Sequence, residues 1–167
     1  MHSSKNFRLD AVVSVDIEEK KLIGFLQQTS TDLGHEGMTQ LFMNCMPKVG
    51  TYASRNELSF GDYIPSCVYT KWDEATKEAE FYIGLLLNKD LAPGEGMQEI
   101  TVPQGKAVMV RKYGPYGTGE LEAHKAIDDF ITGNNLEAQG LVWELFTNDP
   151  TCVKPKDIQT DIYYLLK

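Results

Sequence analysis

The chain has 167 residues and carries 16 Lys+Arg against 24 Asp+Glu, a formal net charge of −8. Its 42% hydrophobic and 24% charged content is typical of a folded globular protein. The acidic balance argues against direct binding to nucleic acid, which depends on basic residues that neutralise phosphates. The sequence has no run of about 18 apolar residues and no signal-peptide pattern. We therefore expect no membrane association and a cytoplasmic location.

The cysteines and histidines form no recognised metal motif. Cys45, Cys67 and Cys152 are odd in number and include no CxxC pair, so they predict neither a zinc site nor a disulfide framework. His35 and His124 fall near the starts of two predicted helices, and neither has a carboxylate or histidine partner at a known ligand spacing. We expect no metal and no cofactor.

The first half of the chain begins with two strand-like segments, Val12–Ile17 and Leu22–Gln27, which are rich in β-forming residues. A helix follows, and Pro47 predicts its end because proline lacks the backbone N–H that continues a helix. The apolar stripe of that helix consists of Met38, Leu41, Phe42, Cys45 and Met46. Two further strands, Ser66–Lys71 and Glu80–Leu87, complete this half.

The second half has the same order of elements. Its predicted strands are Ile100–Val102, Ala107–Tyr113, Leu141–Thr147 and Asp161–Leu166. The helix between the second and third of them has an apolar stripe made of Ala123, Ala126, Ile127, Phe130 and Ile131. Thr118 is the predicted N-cap of this helix, and Gly133 is predicted to end it.

The two apolar helix stripes are related by a constant offset of 85 positions, which indicates an internal repeat over residues 10–90 and 97–167. We therefore predict one domain over residues 1–167 with an α+β fold. Two strand–helix–strand–strand modules would pack about a pseudo-twofold axis, with a mostly antiparallel sheet and two main helices. A ligand cleft is expected where the modules meet.

Glu144 lies in the middle of an otherwise apolar strand, where Val142 and Phe146 share its face. A buried carboxylate must find a hydrogen-bond donor, a proton or a cation. Two interpretations remain open: an edge strand that exposes Glu144 to water, or an acidic anchor in an aromatic pocket. Candidate walls of such a pocket are Tyr69, Trp72, Tyr82, Tyr113, Tyr163 and Tyr164.

The stretch from Val102 to Tyr116, with its Pro103-Gln104-Gly105 turn and its Gly114-Pro115-Tyr116 turn, resembles the GyrI-like effector-binding domains. Such domains are also found at the C-terminal end of AraC-type and MerR-type multidrug regulators. The segments 144–150 (ELFTNDP) and 161–166 (DIYYLL) are similar to the family's inner-glutamate strand and final strand. In two places the sequence departs from the family pattern: Phe146 replaces a tyrosine, and Tyr164-Leu165 replaces Ile-Pro.

The resemblance implies a ligand cleft between two modules, with Glu144 as the acidic anchor and Tyr163 at the family's aromatic position. About ten residues precede the first predicted strand, too few for a DNA-binding domain, so we expect no direct DNA binding.

The function predicted from the sequence is binding of lipophilic, drug-like cations for sensing or sequestration, without catalysis. The ligand-binding residues predicted for this function are Glu144, Tyr163, Tyr82, Trp72, Tyr69, Tyr113 and Phe146. One alternative is a hydrolase of electrophilic compounds, with Cys67, Tyr69 or His124 as the polar partner of Glu144. The resemblance implies two others: a protein-interaction module that modulates a topoisomerase, and a haem-binding protein with His35 or His124 as the iron ligand.

Overall fold

The structure is a computed structural model that describes residues 6–59 and 61–167. Residues 1–5, part of the segment analysed for a signal peptide, and Phe60 lie outside the described residues. The helices and strands are β1 (Arg8–Leu9), β2 (Val13–Ile17), β3 (Lys20–Ser30), α1 (Gly34–Arg55), β4 (Tyr63–Asp73), β5 (Glu78–Leu87), β6 (Gln98–Val102), β7 (Gly105–Tyr113), α2 (Glu120–Gly133), β8 (Ala138–Phe146) and β9 (Gln159–Leu166). Short 3₁₀ turns cover Thr31–Leu33 and Pro155–Asp157.

In the described part of the chain, nine strands form one sheet in the order β1–β7–β9–β8–β4–β5–β3–β6, with β2 also paired to β7. All of these pairings are antiparallel. The order β3–α1–β4–β5 recurs as β7–α2–β8–β9. The predicted α+β fold with two strand–helix–strand–strand modules is therefore confirmed. The modules meet where β4 pairs with β8, from Ser66 opposite Leu145 to Tyr69 opposite Val142.

Both helices pack on the same side of the sheet, which we call the helix face. α1 lies on β3 and β5, whereas α2 lies on β7 and β9. Buried Cys45 and Val49 anchor α1, and buried Ala123 and Ile127 anchor α2. The opposite side, the far face, buries a separate cluster around Trp143 that includes Val68 and Leu165. The sheet therefore has an apolar core on each side.

The predicted end of the first helix at Pro47 is wrong, because α1 continues to Arg55 with Pro47 inside it. An interior proline costs a helix about 3 kcal/mol. Beyond Pro47, however, Val49 and Tyr52 are buried against Leu85 and other core residues, and the Thr51 hydroxyl donates to the Pro47 carbonyl at 3.0 Å. Burial of that second apolar segment compensates for the lost backbone hydrogen bond.

The start of α2 also differs from the prediction, since Gly119 rather than Thr118 occupies the N-cap position and no side chain caps the helix. The Thr118 carbonyl instead accepts a hydrogen bond from the Lys112 ammonium group at 2.8 Å. The Glu120 carboxylate accepts from the Gly117 backbone N–H at 3.0 Å. Interactions with β7 therefore fix the entry of this helix. Its predicted end at Gly133 is confirmed.

Neither helix in the described residues combines the length and the apolar character required to cross a lipid bilayer. The longer one, α1, has 22 residues, and its surface includes the exposed polar residues Asn44 and Lys48.

Candidate functional site

Glu144 lies on the helix face in the centre of the sheet. Residues directly opposite each other on neighbouring strands share a face. The row that runs through Glu144 consists of Phe25, Ile83, Cys67, Glu144, Ile162 and Val110. Glu144 is the single charged residue of this row, and only 7% of its surface is exposed. Because β8 lies between β9 and β4, the interpretation as a solvated edge strand is excluded.

The gap between the two helices runs above β4 and β8, since α1 packs on β3 and β5 while α2 packs on β7 and β9. Side chains of both modules meet in this gap. The ring of Phe146, two residues after Glu144, lies between Phe42 of α1 and Tyr116 of the turn before α2. The ring centroid of Phe42 lies 5.7 Å from that of Phe146, and the ring centroid of Tyr116 lies 5.4 Å from it. Both contacts are edge-on. We call these three residues the ring triad.

The imidazole of His124 reaches from α2 to Glu144. Its Nε2 lies 3.6 Å from the Glu144 Oε1, and its Nδ1 lies 2.6 Å from the Tyr164 hydroxyl oxygen. Among the described residues, no lysine or arginine lies within ion-pair distance of Glu144. Within the described residues, the imidazole of His124 is therefore the basic side chain that can compensate the charge of this carboxylate.

The Cys67 thiol and the Tyr69 and Tyr164 hydroxyls around Glu144 retain their protons. Burial raises the pKa of the Cys67 thiol well above its usual range, and the negative charge of Glu144 raises it further. Burial likewise raises the pKa of the Tyr69 and Tyr164 hydroxyls, with the nearby Glu144 charge as a further cause in each. The carboxylate therefore acts on side chains of both neighbouring strands, β4 and β9. This part of the helix face favours a positive charge.

Three of the predicted binding residues lie near Glu144 on the helix face or at its border. Phe146 belongs to the ring triad. Tyr69 is two residues from Cys67 on β4, and its ring packs on Phe81 with the centroids 5.3 Å apart. Trp72 follows an irregularity in the β4–β5 register and is 47% exposed, and its ring centroid lies 6.1 Å from that of Tyr69 in a T-shaped arrangement. Tyr69 and Trp72 thus extend an aromatic surface away from Glu144 along β4.

The other three predicted residues lie on the far face. Tyr82 and Tyr163 belong to a cross-strand row that also contains Val68 and Trp143. The Tyr163 ring stacks on the Trp143 ring, with the ring centroids 5.1 Å apart. Tyr113 lies on the same side, where the Arg8 guanidinium sits 3.8 Å from its ring centroid. The structure therefore separates these three tyrosines from Glu144 by the thickness of the sheet.

Sequence reasoning did not place Phe42 and Tyr116 in the site and treated His124 as a weak candidate. Phe42 belongs to a helical stripe that predicts core packing, and Tyr116 lies in a turn. The one available signal for His124 is its position beside Ala123 on the apolar side of α2. None of the three could be assigned without knowing that both helices border the same strand pair.

The match to known families is consistent with this geometry. A family model described as a GyrI-like small molecule binding domain matches residues 11–167. The chain belongs to the GyrI-like family. A search of curated proteins found no significant match.

Solved structures share the fold of this GyrI-like domain at low sequence identity. The EcmrR C-terminal domain has 16% identity and a TM-score of 0.71, over 93% of this chain and 96% of that chain. SAV2435 bound to tetraphenylphosphonium has 12% identity and a TM-score of 0.61, over 95% and 94% of the two chains. A hydrolase encoded by lin2189 from Listeria innocua has 12% identity and a TM-score of 0.55, over 98% and 93%.

Proposed function

We propose that this GyrI-like domain binds lipophilic organic cations at Glu144, in the gap between α1 and α2, for sensing or sequestration. The observation that carries the proposal is Glu144, which is only 7% exposed in an otherwise apolar row and has no lysine or arginine partner among the described residues. A buried carboxylate without a lysine or arginine partner is costly, and a bound cation would remove much of that cost.

The aromatic surroundings favour a bulky, apolar cation over a small inorganic ion. Tyr69 and the ring triad offer ring faces and edges close to Glu144, and each aromatic face attracts a cation by roughly 0.5–2 kcal/mol. In the described residues, no group of three histidine, cysteine or acidic side chains converges as a metal site. The relative bound to tetraphenylphosphonium has the same fold, which supports this choice of ligand class.

The test is calorimetric titration of the protein with tetraphenylphosphonium, which carries a permanent charge. We expect Glu144→Gln to weaken binding by at least about tenfold, or ~1.4 kcal/mol, because it removes the charge and keeps the shape of the side chain. Glu122→Gln is the matched control, since it removes one negative charge from an exposed position on α2. Equal affinities of the two variants would contradict Glu144 as the anchor.

Hydrolysis of an electrophilic small molecule is a second candidate function, favoured by the 3.6 Å approach of His124 to Glu144. A carboxylate next to an imidazole can activate a water molecule as a general base. One relative of the same fold is described as a hydrolase, which supports the chemistry without assigning it to this chain. Recovery of an electrophilic ligand unchanged after prolonged incubation distinguishes binding from turnover.

A further inference from the structure

The imidazole of His124 lies beside the Glu144 carboxylate, where a bound cation would also carry its charge. It approaches Glu144 from α2, with Nε2 3.6 Å from Oε1. The His124 side chain is 30% exposed and that of Glu144 is 10% exposed, so the imidazole is the more accessible partner of the pair. Water can therefore exchange protons with His124 while Glu144 stays largely covered.

We propose that His124 is the resident counter-ion of Glu144 and that a cationic ligand replaces its charge, so that binding at acidic pH releases the His124 proton to water. This inference rests on the proposed function, because it concerns the same carboxylate. The balance is simple: the protonated imidazole loses one proton, and the ligand cation takes over the pairing with Glu144. No covalent bond other than the N–H bond is broken.

Tyr164 makes both protonation states of His124 compatible with one ring position. Burial raises the pKa of the Tyr164 hydroxyl, and the negative charges of Asp128 and Glu144 raise it further. The hydroxyl therefore keeps its proton. It can donate to Nδ1 of a neutral imidazole, whose Nε2–H then faces Glu144. It can equally accept from Nδ1–H of an imidazolium. Tyr164 is therefore a positioning residue that holds Nε2 towards the carboxylate.

The other titratable groups around His124 would not make ligand affinity depend on pH in the same range. Glu120 and Asp128 lie four residues before and after it on α2, and Glu120 is paired with Lys112 of β7 at 2.5 Å. On β4, burial raises the pKa of both Cys67 and Tyr69, so they remain neutral. Histidine is the side chain whose charge ordinarily changes between pH 5 and 8, while carboxyl groups ordinarily titrate below that range.

The experiment is titration with tetraphenylphosphonium between about pH 5.5 and pH 8, because this ligand has no titratable group of its own. We expect the affinity of the wild-type protein to rise about tenfold over this range, since a cation that binds at the acidic end must displace a proton. In His124→Gln the affinity should be nearly constant. The matched control, His35→Gln, changes the histidine of α1 and should retain the wild-type pH dependence.

A second measurement needs no variant. Calorimetry in two buffers of different ionisation enthalpy should reveal more proton release per ligand near pH 5.5 than near pH 8. A pH-independent affinity, or a His124→Gln protein with the full wild-type pH dependence, would overturn the inference and leave the Glu144 site intact. No binding at any pH, with Glu144→Gln identical to wild type, would instead overturn the proposed function and the inference together.

Discussion

Lys112 lies on the helix face of β7 with its side chain completely buried, and three acceptors surround its ammonium group. It donates to the Pro115 carbonyl at 3.0 Å, the Thr118 carbonyl at 2.8 Å and the Glu120 carboxylate at 2.5 Å. Each acceptor belongs to the turn before α2 or to the first residue of the helix. One buried cation thus holds the segment that carries Tyr116 of the ring triad.

Lys112→Met should therefore destabilise the protein strongly. The variant leaves Glu120 and two carbonyls without their partner, and removal of one member of a buried pair typically costs about 3–5 kcal/mol. Lys125→Met is the matched control, because Lys125 pairs with Asp129 at 2.8 Å where both side chains are mostly exposed. We expect the free energy of unfolding of that control to fall by less than about 1 kcal/mol. Urea denaturation measures the free energy of unfolding of both variants. Equal decreases would contradict the stabilising role of the buried Lys112 ammonium group.

At the residue scale, the sequence predicted the acidic group of the site better than its surroundings. Alternation along one strand is enough to place Val142, Glu144 and Phe146 on one face. The same rule cannot place Tyr82 or Tyr163, because their face relative to Glu144 depends on the pairing register between strands. That register depends on long-range contacts, such as Trp143 opposite Tyr163, which no local pattern encodes.

At the element scale, β3 and β5 approach each other closely at Gly24 and Gly84, which are directly paired. A Cβ atom on Gly84 would overlap the carbonyl oxygen of Ile23 on the adjacent strand. Gly50, in contrast, lies exposed inside α1, and a Cβ atom there would meet no atom within 4 Å. The two glycines therefore have different reasons to be present.

We expect Gly84→Ala to destabilise the protein by about 1–3 kcal/mol or more, because neighbouring backbone would have to shift. Gly50→Ala should instead stabilise it by about 0.5–1 kcal/mol, since alanine loses less conformational freedom in a helix than glycine does. Thermal unfolding of both variants beside the wild type provides the measurement. A Gly84→Ala protein as stable as wild type would contradict the close approach of β3 and β5.

The order of the elements was predictable because apolar periodicity is a local property. Both helices and the principal strands appear where the patterns predict them, although β4 and β8 begin three residues earlier than predicted. The length of α1 was not predictable in the same way. Pro47 is a strong local signal for a helix end, and the burial of Val49 and Tyr52 that overrides it is a tertiary effect.

At the scale of the whole molecule, the two modules exchange strands as well as sharing a sheet. β2 precedes the first module yet pairs with β7 of the second, and β6 leads into the second module yet pairs with β3 of the first. Phe42 and Phe146 add a contact between the modules above the sheet. Neither module can therefore unfold without exposing strand edges and core residues of the other, and we expect unfolding in one cooperative step.

A ligand at Glu144 should consequently stabilise both modules together. With tetraphenylphosphonium at about 100 times its dissociation constant, the free energy of unfolding should rise by about 2.7 kcal/mol. The transition should remain single when followed by far-ultraviolet circular dichroism and by tryptophan fluorescence. At the same ligand concentration, the free energy of unfolding of Glu144→Gln should rise much less, because the dissociation constant of this variant is larger. If the ligand instead splits the transition into two steps, with one module stabilised and the other unchanged, then the cation binds within a single module and the site between α1 and α2 is wrong.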